Sequence, residues 1–234
     1  KQPKIVIVGT NAKQLEGGYP TGAWLEEIAV PYYTFRNAKY QVIVSSPQGG
    51  EIPLDANSLK GDFYTTISKQ FMEDDPDQPH NKLTNSLKLS EIDFSTVDCI
   101  YLAGGHGTCV DYVNNKELVK IIETLFKNGK VVAAVCHGPI ALAECTKKDA
   151  KTNTVVPLVQ GLTVTGFSNQ EESMVQLTDK VPFLIETKFK EQGAMYEKAE
   201  SAWASKVCVH GNLVTGQNPA SSDECANAVV KLLG

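Results

Sequence analysis

Short β-branched runs recur along this chain with helix-patterned segments between them, and that alternation restricts the possible folds more than any other feature. The runs are Lys4 to Val8, Tyr40 to Ser45, Cys99 to Ala103, Val131 to Val135 and Leu162 to Thr165. Trp24 to Phe35 carries apolar residues at helical spacing. Lys116 to Lys127 does so more clearly, with Leu118, Ile121, Ile122 and Leu125 on one face and Asn128-Gly129 as a stop. Ser221 to Leu233 reads as a last helix with Ser221 or Ser222 as its N-cap. Strands alternating with helices predict a mainly parallel sheet covered on both faces, a three-layer α/β/α sandwich. The almost continuous apolar run at 131–135 suits a central strand of such a sheet.

Two stretches break the pattern. Gln48 to Asp55 reads as turns with a hairpin, and the acidic, proline-containing segment Glu73 to Pro79 as a surface loop flanked by short helices. Residues 55–95 are therefore expected to form an insertion packed beside the sheet of one domain spanning 1–234. The 234 residues suffice for one large core or two small ones.

Composition excludes several function classes. A net charge of −5 without a clustered basic face speaks against nucleic-acid binding. Lys147, Lys148 and Lys151 read as a solvated loop. No apolar run approaches the roughly 18 residues that a membrane span needs. Lys1-Gln2-Pro3 leads directly into Lys4–Val8, a run too short for a secretory signal, so only an initiator methionine is expected to be missing. Six cysteines at 99, 109, 136, 145, 208 and 225 form no CxxC pair, and the histidines complete no zinc-finger spacing. A chain of this size needs no disulfides, which points to a reducing cytoplasm. His80 and His210 belong to no metal-ligand motif.

The strongest local signal for chemistry is the passage from Val131–Val135 into Cys136-His137-Gly138-Pro139. A hydrophobic strand ends abruptly, and Gly-Pro then opens an apolar helix over Ile140 to Glu144. A turn of this kind exposes the side chain at its apex and leaves helix N-terminal N–H groups beside the sulfur, which predicts a lowered thiol pKa. A second glycine-rich strand end follows Tyr101-Leu102-Ala103, namely Gly104-Gly105-His106-Gly107. If the two strands are neighbours, the Gly105 and His137 N–H groups form an oxyanion hole, and His106 lines the pocket. No phosphate-binding glycine motif precedes a helix.

These residues resemble the ThiJ/PfpI superfamily, a branch of the class I glutamine amidotransferase-like fold with a flavodoxin-like sheet. Thr21 to Glu27, Pro31 to Arg36, Ser45 to Gly50 and Thr215 to Ser221 are similar to it as well. Chain length and the 55–95 insertion resemble the branch of fungal glutathione-independent glyoxalases, also described as heat-inducible chaperones. The resemblance implies a Cys136 nucleophile, a buried Glu27 facing it, and a Cys-His-Glu triad with His137. Register gives Glu172 as the third member, but Asn169-Gln170-Glu171-Glu172 departs from the usual Asp and Gly, which keeps Glu171 in contention. Glu26 is expected to be solvated. Trp203 and Tyr19 are read either as pocket-closing groups or as ordinary packing.

The resemblance further implies conversion of methylglyoxal or glyoxal to D-lactate or glycolate through a Cys136 hemithioacetal, with no cofactor, metal or glutathione. The partner is then a small dicarbonyl substrate, with homodimers and unfolded protein clients as further expectations and neither nucleic acid nor membrane. An amidase, peptidase or deglycase would share the same elbow. A redox sensor would need an exposed, readily oxidised Cys136, and a holding chaperone a dimer with an apolar patch that binds unfolded clients.

Overall fold

The computed structural model describes residues 2–73 and 81–234. In chain order the strands are β1 (Lys4–Val8), β2 (Gln41–Ser46), β3 (Leu87–Lys88), β4 (Cys99–Leu102), β5 (Val131–Val135), β6 (Thr146–Lys148), β7 (Val155–Pro157), β8 (Thr163–Val164), β9 (Met195–Tyr196), β10 (Val207–His210) and β11 (Leu213–Gly216). The α-helices are α1 (Glu26–Asn37), α2 (Thr66–Glu73), α3 (Asn81–Thr84), α4 (Thr108–Asp111), α5 (Lys116–Lys127), α6 (Asn169–Met174), α7 (Ile185–Glu191) and α8 (Ser222–Leu233).

Seven strands form one sheet in the order β10-β11-β5-β4-β1-β2-β3, parallel throughout except for the β10–β11 pair. From β1 the chain moves through α1 to β2 on one side, whereas β4 moves through α5 to β5 on the other. Right-handed crossovers in opposite directions put their helices on opposite faces. Accordingly α1 packs with α8 against one face, and α5 packs against β4 and β5 on the other. This is the predicted three-layer α/β/α architecture. The reversal of direction between β1 and β4 opens a crevice at the carboxyl ends of the strands, where α/β proteins bind their ligands. The middle strands are wholly buried and aliphatic: Ile5 to Val8, Ile100 and Val132 to Val135.

Several elements differ from the sequence reading. The run at 162–165 does not join the main sheet. Its β8 pairs with β9 instead, because the β10–β11 hairpin already occupies that edge, and Thr165 N–H donates to Thr215 Oγ1 rather than to a ladder carbonyl (2.9 Å). Residues 48–55 form no hairpin. Gly50 bridges to Ser86 of the insertion and Leu54 to Ala23, just before α1. Glu73 ends α2, and the rest of the acidic segment, with His80, lies outside the described residues. Lys147 and Lys148 stand on β6 rather than in a loop. Gly138–Glu144 is a 3₁₀ helix, not an α-helix. Ser221 occupies the N-cap position of α8 but does not cap that helix with its side chain, which donates to Asn218 Oδ1 (3.0 Å) and accepts from Asn218 N–H (3.4 Å) in the preceding 3₁₀ turn. All six cysteines are free and buried, as buried thiols in a chain without staples should be. Among the described residues no helix is long and apolar enough to cross a membrane.

Candidate active site

Strand β5 delivers Cys136 to the crevice in a backbone conformation that side chains avoid, with φ at 61°. The surrounding contacts enforce it: Cys136 N–H donates to Gly216 O (3.0 Å), and its carbonyl accepts from Phe167 N–H (2.9 Å). The turn works only with glycine beyond it, since a Cβ on Gly138 would sit 2.2 Å from Leu102 O. Gly104, at the end of β4, is equally hemmed in. A Cβ there would lie 2.5 Å from Glu27 Oε2 and 2.8 Å from His137 N. These two glycines let β4, β5 and α1 meet at one point.

Glu27 enters from the first turn of α1 and is completely buried. Its Oε2 accepts from Gly104 N–H at 2.6 Å, Oε1 has no well-aligned protein partner, and the carboxyl group lies within hydrogen-bonding reach of the Cys136 thiol. Burial pushes the Glu27 carboxyl well above the usual carboxylate range, so it keeps its proton and offers it to the sulfur. The expected lowering of the thiol is corrected. Burial pushes the Cys136 thiol up. Thiolate formation at this site is therefore tied to the position of the Glu27 proton. Glu26 is not solvated as expected: it is half-buried, and burial raises it to about 7.

On the other side of the sulfur, His137 Nδ1 stands 3.5 Å from Cys136 Sγ. Its Nε2 meets Glu172 Oε2 at 2.6 Å, and His106 Nε2 meets the other oxygen of the same carboxylate at 2.6 Å. The two imidazoles lie 3.8 Å apart between centroids. Burial works against the Glu172 anion, yet the two histidines, His137 foremost, hold it well below its ordinary range. Burial, then the adjacent His106, lowers His137 and keeps it neutral. A neutral His137 donating from Nε2 to an anionic Glu172 carries its free lone pair on Nδ1, toward the sulfur.

Glu171, the alternative third member, is occupied elsewhere. Its Oε1 accepts from Trp203 N (2.9 Å), Gln217 Nε2 (3.1 Å) and Asn218 Nδ2 (2.8 Å). Its Oε2 accepts from Ser168 N (3.0 Å) and Ser168 Oγ (2.9 Å). Glu171 ties the pocket segments together, and Glu172 faces the histidines.

A cavity of about 520 Å³ opens above the sulfur. Cys136, His137, His106 and Gly105 line it, whereas Glu27 and Glu172 stand behind them. Neither the Gly105 nor the His137 N–H donates to a protein acceptor among the described residues, which leaves both free for a ligand oxygen. Trp203 and Tyr19 do line the cavity. Trp24, Phe63 and Phe167 complete an aromatic wall that sequence reasoning missed; Phe167 lies 4.3 Å from the His137 ring. Their one sequence signal is position, since Phe63 belongs to the insertion and Phe167 follows the strand run at 162–165.

His106, His137 and Glu172 are the one group among the described residues whose ligand atoms, all within 4.8 Å, could converge on a metal ion. The 2.6 Å separations are those of hydrogen bonds, shorter than the roughly 3.3 Å that tetrahedral ligands keep around one ion. His210 is engaged at Nδ1 by Thr163 N–H (3.0 Å).

Residues 21–232 match the DJ-1/PfpI family. The chain belongs to the DJ-1/PfpI family. Within it, the chain is 32% identical over 231 residues to the glutathione-independent glyoxalase HSP31 of Saccharomyces cerevisiae, covering 97% of this chain and 95% of the relative. The crystal structure of glyoxalase III from Candida albicans superposes with a TM-score of 0.86 at 30% identity, covering 98% and 97% of the two chains. The Rapid Encystment Protein 24 KDa of Francisella tularensis superposes at 0.89 with 34% identity, covering both chains fully. Membership of the DJ-1/PfpI family and its α/β fold bear out the resemblance read from Cys136-His137-Gly138-Pro139 and its companions.

Proposed function

We propose that this protein is a glutathione-independent glyoxalase that converts methylglyoxal to D-lactate with no cofactor. One observation carries the reading: a cysteine lines an aromatic-walled cavity between a proton-holding carboxyl group and a neutral histidine whose free nitrogen faces the sulfur. The relatives named as glyoxalases support the substrate class.

Cys136 adds to the aldehyde carbon while its thiol proton passes through His137 Nδ1 to the aldehyde oxygen, giving a neutral hemithioacetal and leaving His137 neutral again. The Gly105 and His137 N–H groups steady the oxygen. His137 Nδ1, held in register by Glu172 and present in the cavity wall, removes the proton from the former aldehyde carbon. That proton returns to the neighbouring carbon, which is reduced as the first is oxidised, and water releases the hydroxy acid. Glu27 hydrogen-bonds the sulfur throughout. His106 fixes the second oxygen of Glu172.

The redox-sensor alternative needs an accessible, acidic thiol. Burial and a raised thiol weigh against it here. The whole chain, 55–95 included, acts as one unit, since β3 extends the sheet and Phe63 reaches the cavity. The free cysteines fit action in the cytoplasm. Homodimerisation and the holding of unfolded clients follow from the resemblance alone and are read by light scattering and by suppression of client aggregation. The deciding experiment assays D-lactate from methylglyoxal in chelated, thiol-free buffer. Wild type is expected to form it and Cys136→Ala to lose more than about 10³-fold. Absence of D-lactate, or an undiminished variant, ends the proposal.

A further inference from the structure

The cavity is much larger than methylglyoxal requires. About 520 Å³ lies in the range that holds ligands of drug size, and methylglyoxal fills only a fraction of it. Aromatic rings form one continuous stretch of its wall, beside a polar stretch of Asp55, Asn57, Lys60 and Asp62. Trp24 meets Phe63 edge to face at 5.1 Å, Phe63 meets Trp203 at 6.0 Å, Trp203 meets Phe167 at 5.7 Å, and Phe167 lies 4.3 Å from the His137 ring. An unbroken collar of rings thus runs from the cavity mouth to the base beside Cys136. Phe63, at 40% exposure on a short 3₁₀ turn of the insertion, is its outermost member. The Trp24 indole N–H, on a residue of the same wall, is buried without a protein acceptor.

We infer that the preferred substrates are 2-oxoaldehydes bearing an aryl group, with Phe63 as a specificity-determining residue of the collar. The inference rests on the glyoxalase reading above and names its substrate class. An aryl ring seated among edge-to-face rings gains both buried apolar area and favourable ring geometry, neither of which a methyl group obtains to the same degree. Its chemistry is the same internal exchange. For phenylglyoxal, sulfur bonds to the aldehyde carbon, the hydrogen on that carbon leaves as a proton to His137, and a proton is delivered to the benzylic carbon. The resulting thioester is cleaved by water to mandelate and the free thiol. The aldehyde carbon is oxidised and the ketone carbon reduced, so no outside oxidant takes part.

The test compares kcat/KM for phenylglyoxal and methylglyoxal in wild type, Phe63→Ala and Phe63→Leu, quantifying mandelate and lactate. Wild type is expected to favour phenylglyoxal by about tenfold or more, and Phe63→Ala to lose about tenfold more on phenylglyoxal than on methylglyoxal. Phe63→Leu, which keeps bulk without the ring, should fall between. A wild-type ratio at or below one, or equal losses on both aldehydes, overturns the inference. If neither aldehyde is turned over, the glyoxalase reading has failed separately, and titration calorimetry of mandelate against D-lactate decides the collar. Mandelate binding about tenfold tighter and weakened by Phe63→Ala retains it; equal or undetectable binding of both dismisses it.

Discussion

Two buried carboxyl groups flank one cysteine–histidine pair, and their environments drive them in opposite directions. Glu27 is held protonated by burial, whereas Glu172 is held ionised by two imidazoles despite burial. In the proposed mechanism, activity requires a neutral His137 and a protonated Glu27. The kcat/KM profile should rise with pH through a lowered histidine value and fall as Glu27 ionises, and Glu27→Gln should abolish the alkaline fall while costing about 10²-fold in rate. Stability carries the same signature. A raised carboxyl contributes stability that is full below its unfolded value and is lost as pH rises through its folded value; a depressed one contributes above its unfolded value and loses it on acidification. Thermal melts across pH should accordingly show Glu27→Gln flattening the alkaline limb and Glu172→Gln the acid limb. Cys136 and His137 were legible because they end a hydrophobic strand at a Gly-Pro turn, and Glu27 because Thr21 to Glu27 resembles the early helix of the family. The direction of the Cys136 shift was not, because it depends on how deeply the elbow is buried, which no local pattern records.

At the level of elements, the crevice is held open by the helix start at Ser168–Glu171. Glu171 accepts five hydrogen bonds from three separate chain segments, so Glu171→Ala should strand several buried donors and cost about 3 kcal/mol by urea titration, with Glu171→Gln milder. Gly104→Ala should be worse for activity than for folding, since its methyl group would press on Glu27 and on the His137 N–H; a loss above about 10²-fold by initial rates is expected. Helix α5 was read with its observed limits because its apolar period and Asn128-Gly129 stop agree with one another, and the structure adds an Asn115 cap. The β10–β11 hairpin escaped notice as a pair: Val207-Cys208-Val209-His210 is short and mixed, and Leu213–Gly216 acquires its strand identity from β5, more than seventy residues earlier. The run at 162–165 has ample strand propensity but a sheet edge already filled, a tertiary fact that propensity does not contain.

Across the whole molecule, the insertion completes both the sheet and the pocket. Asp55 N–H donates to Ala23 O and Ile52 N–H to Leu83 O, and β3 pairs with β2, so 55–95 should melt with the rest. Circular dichroism and near-ultraviolet signals are expected to report one coincident transition, and an early separate transition would contradict this. The layered architecture was legible from alternation alone, while the cavity wall was not, because its rings come from four distant stretches that only the fold brings together. Both tryptophans of the chain, Trp24 and Trp203, stand in that wall. Intrinsic fluorescence of the intact, unlabelled protein is thus a local optical signal, and rapid mixing can follow ligand entry, adduct formation and release in real time without attaching a dye anywhere.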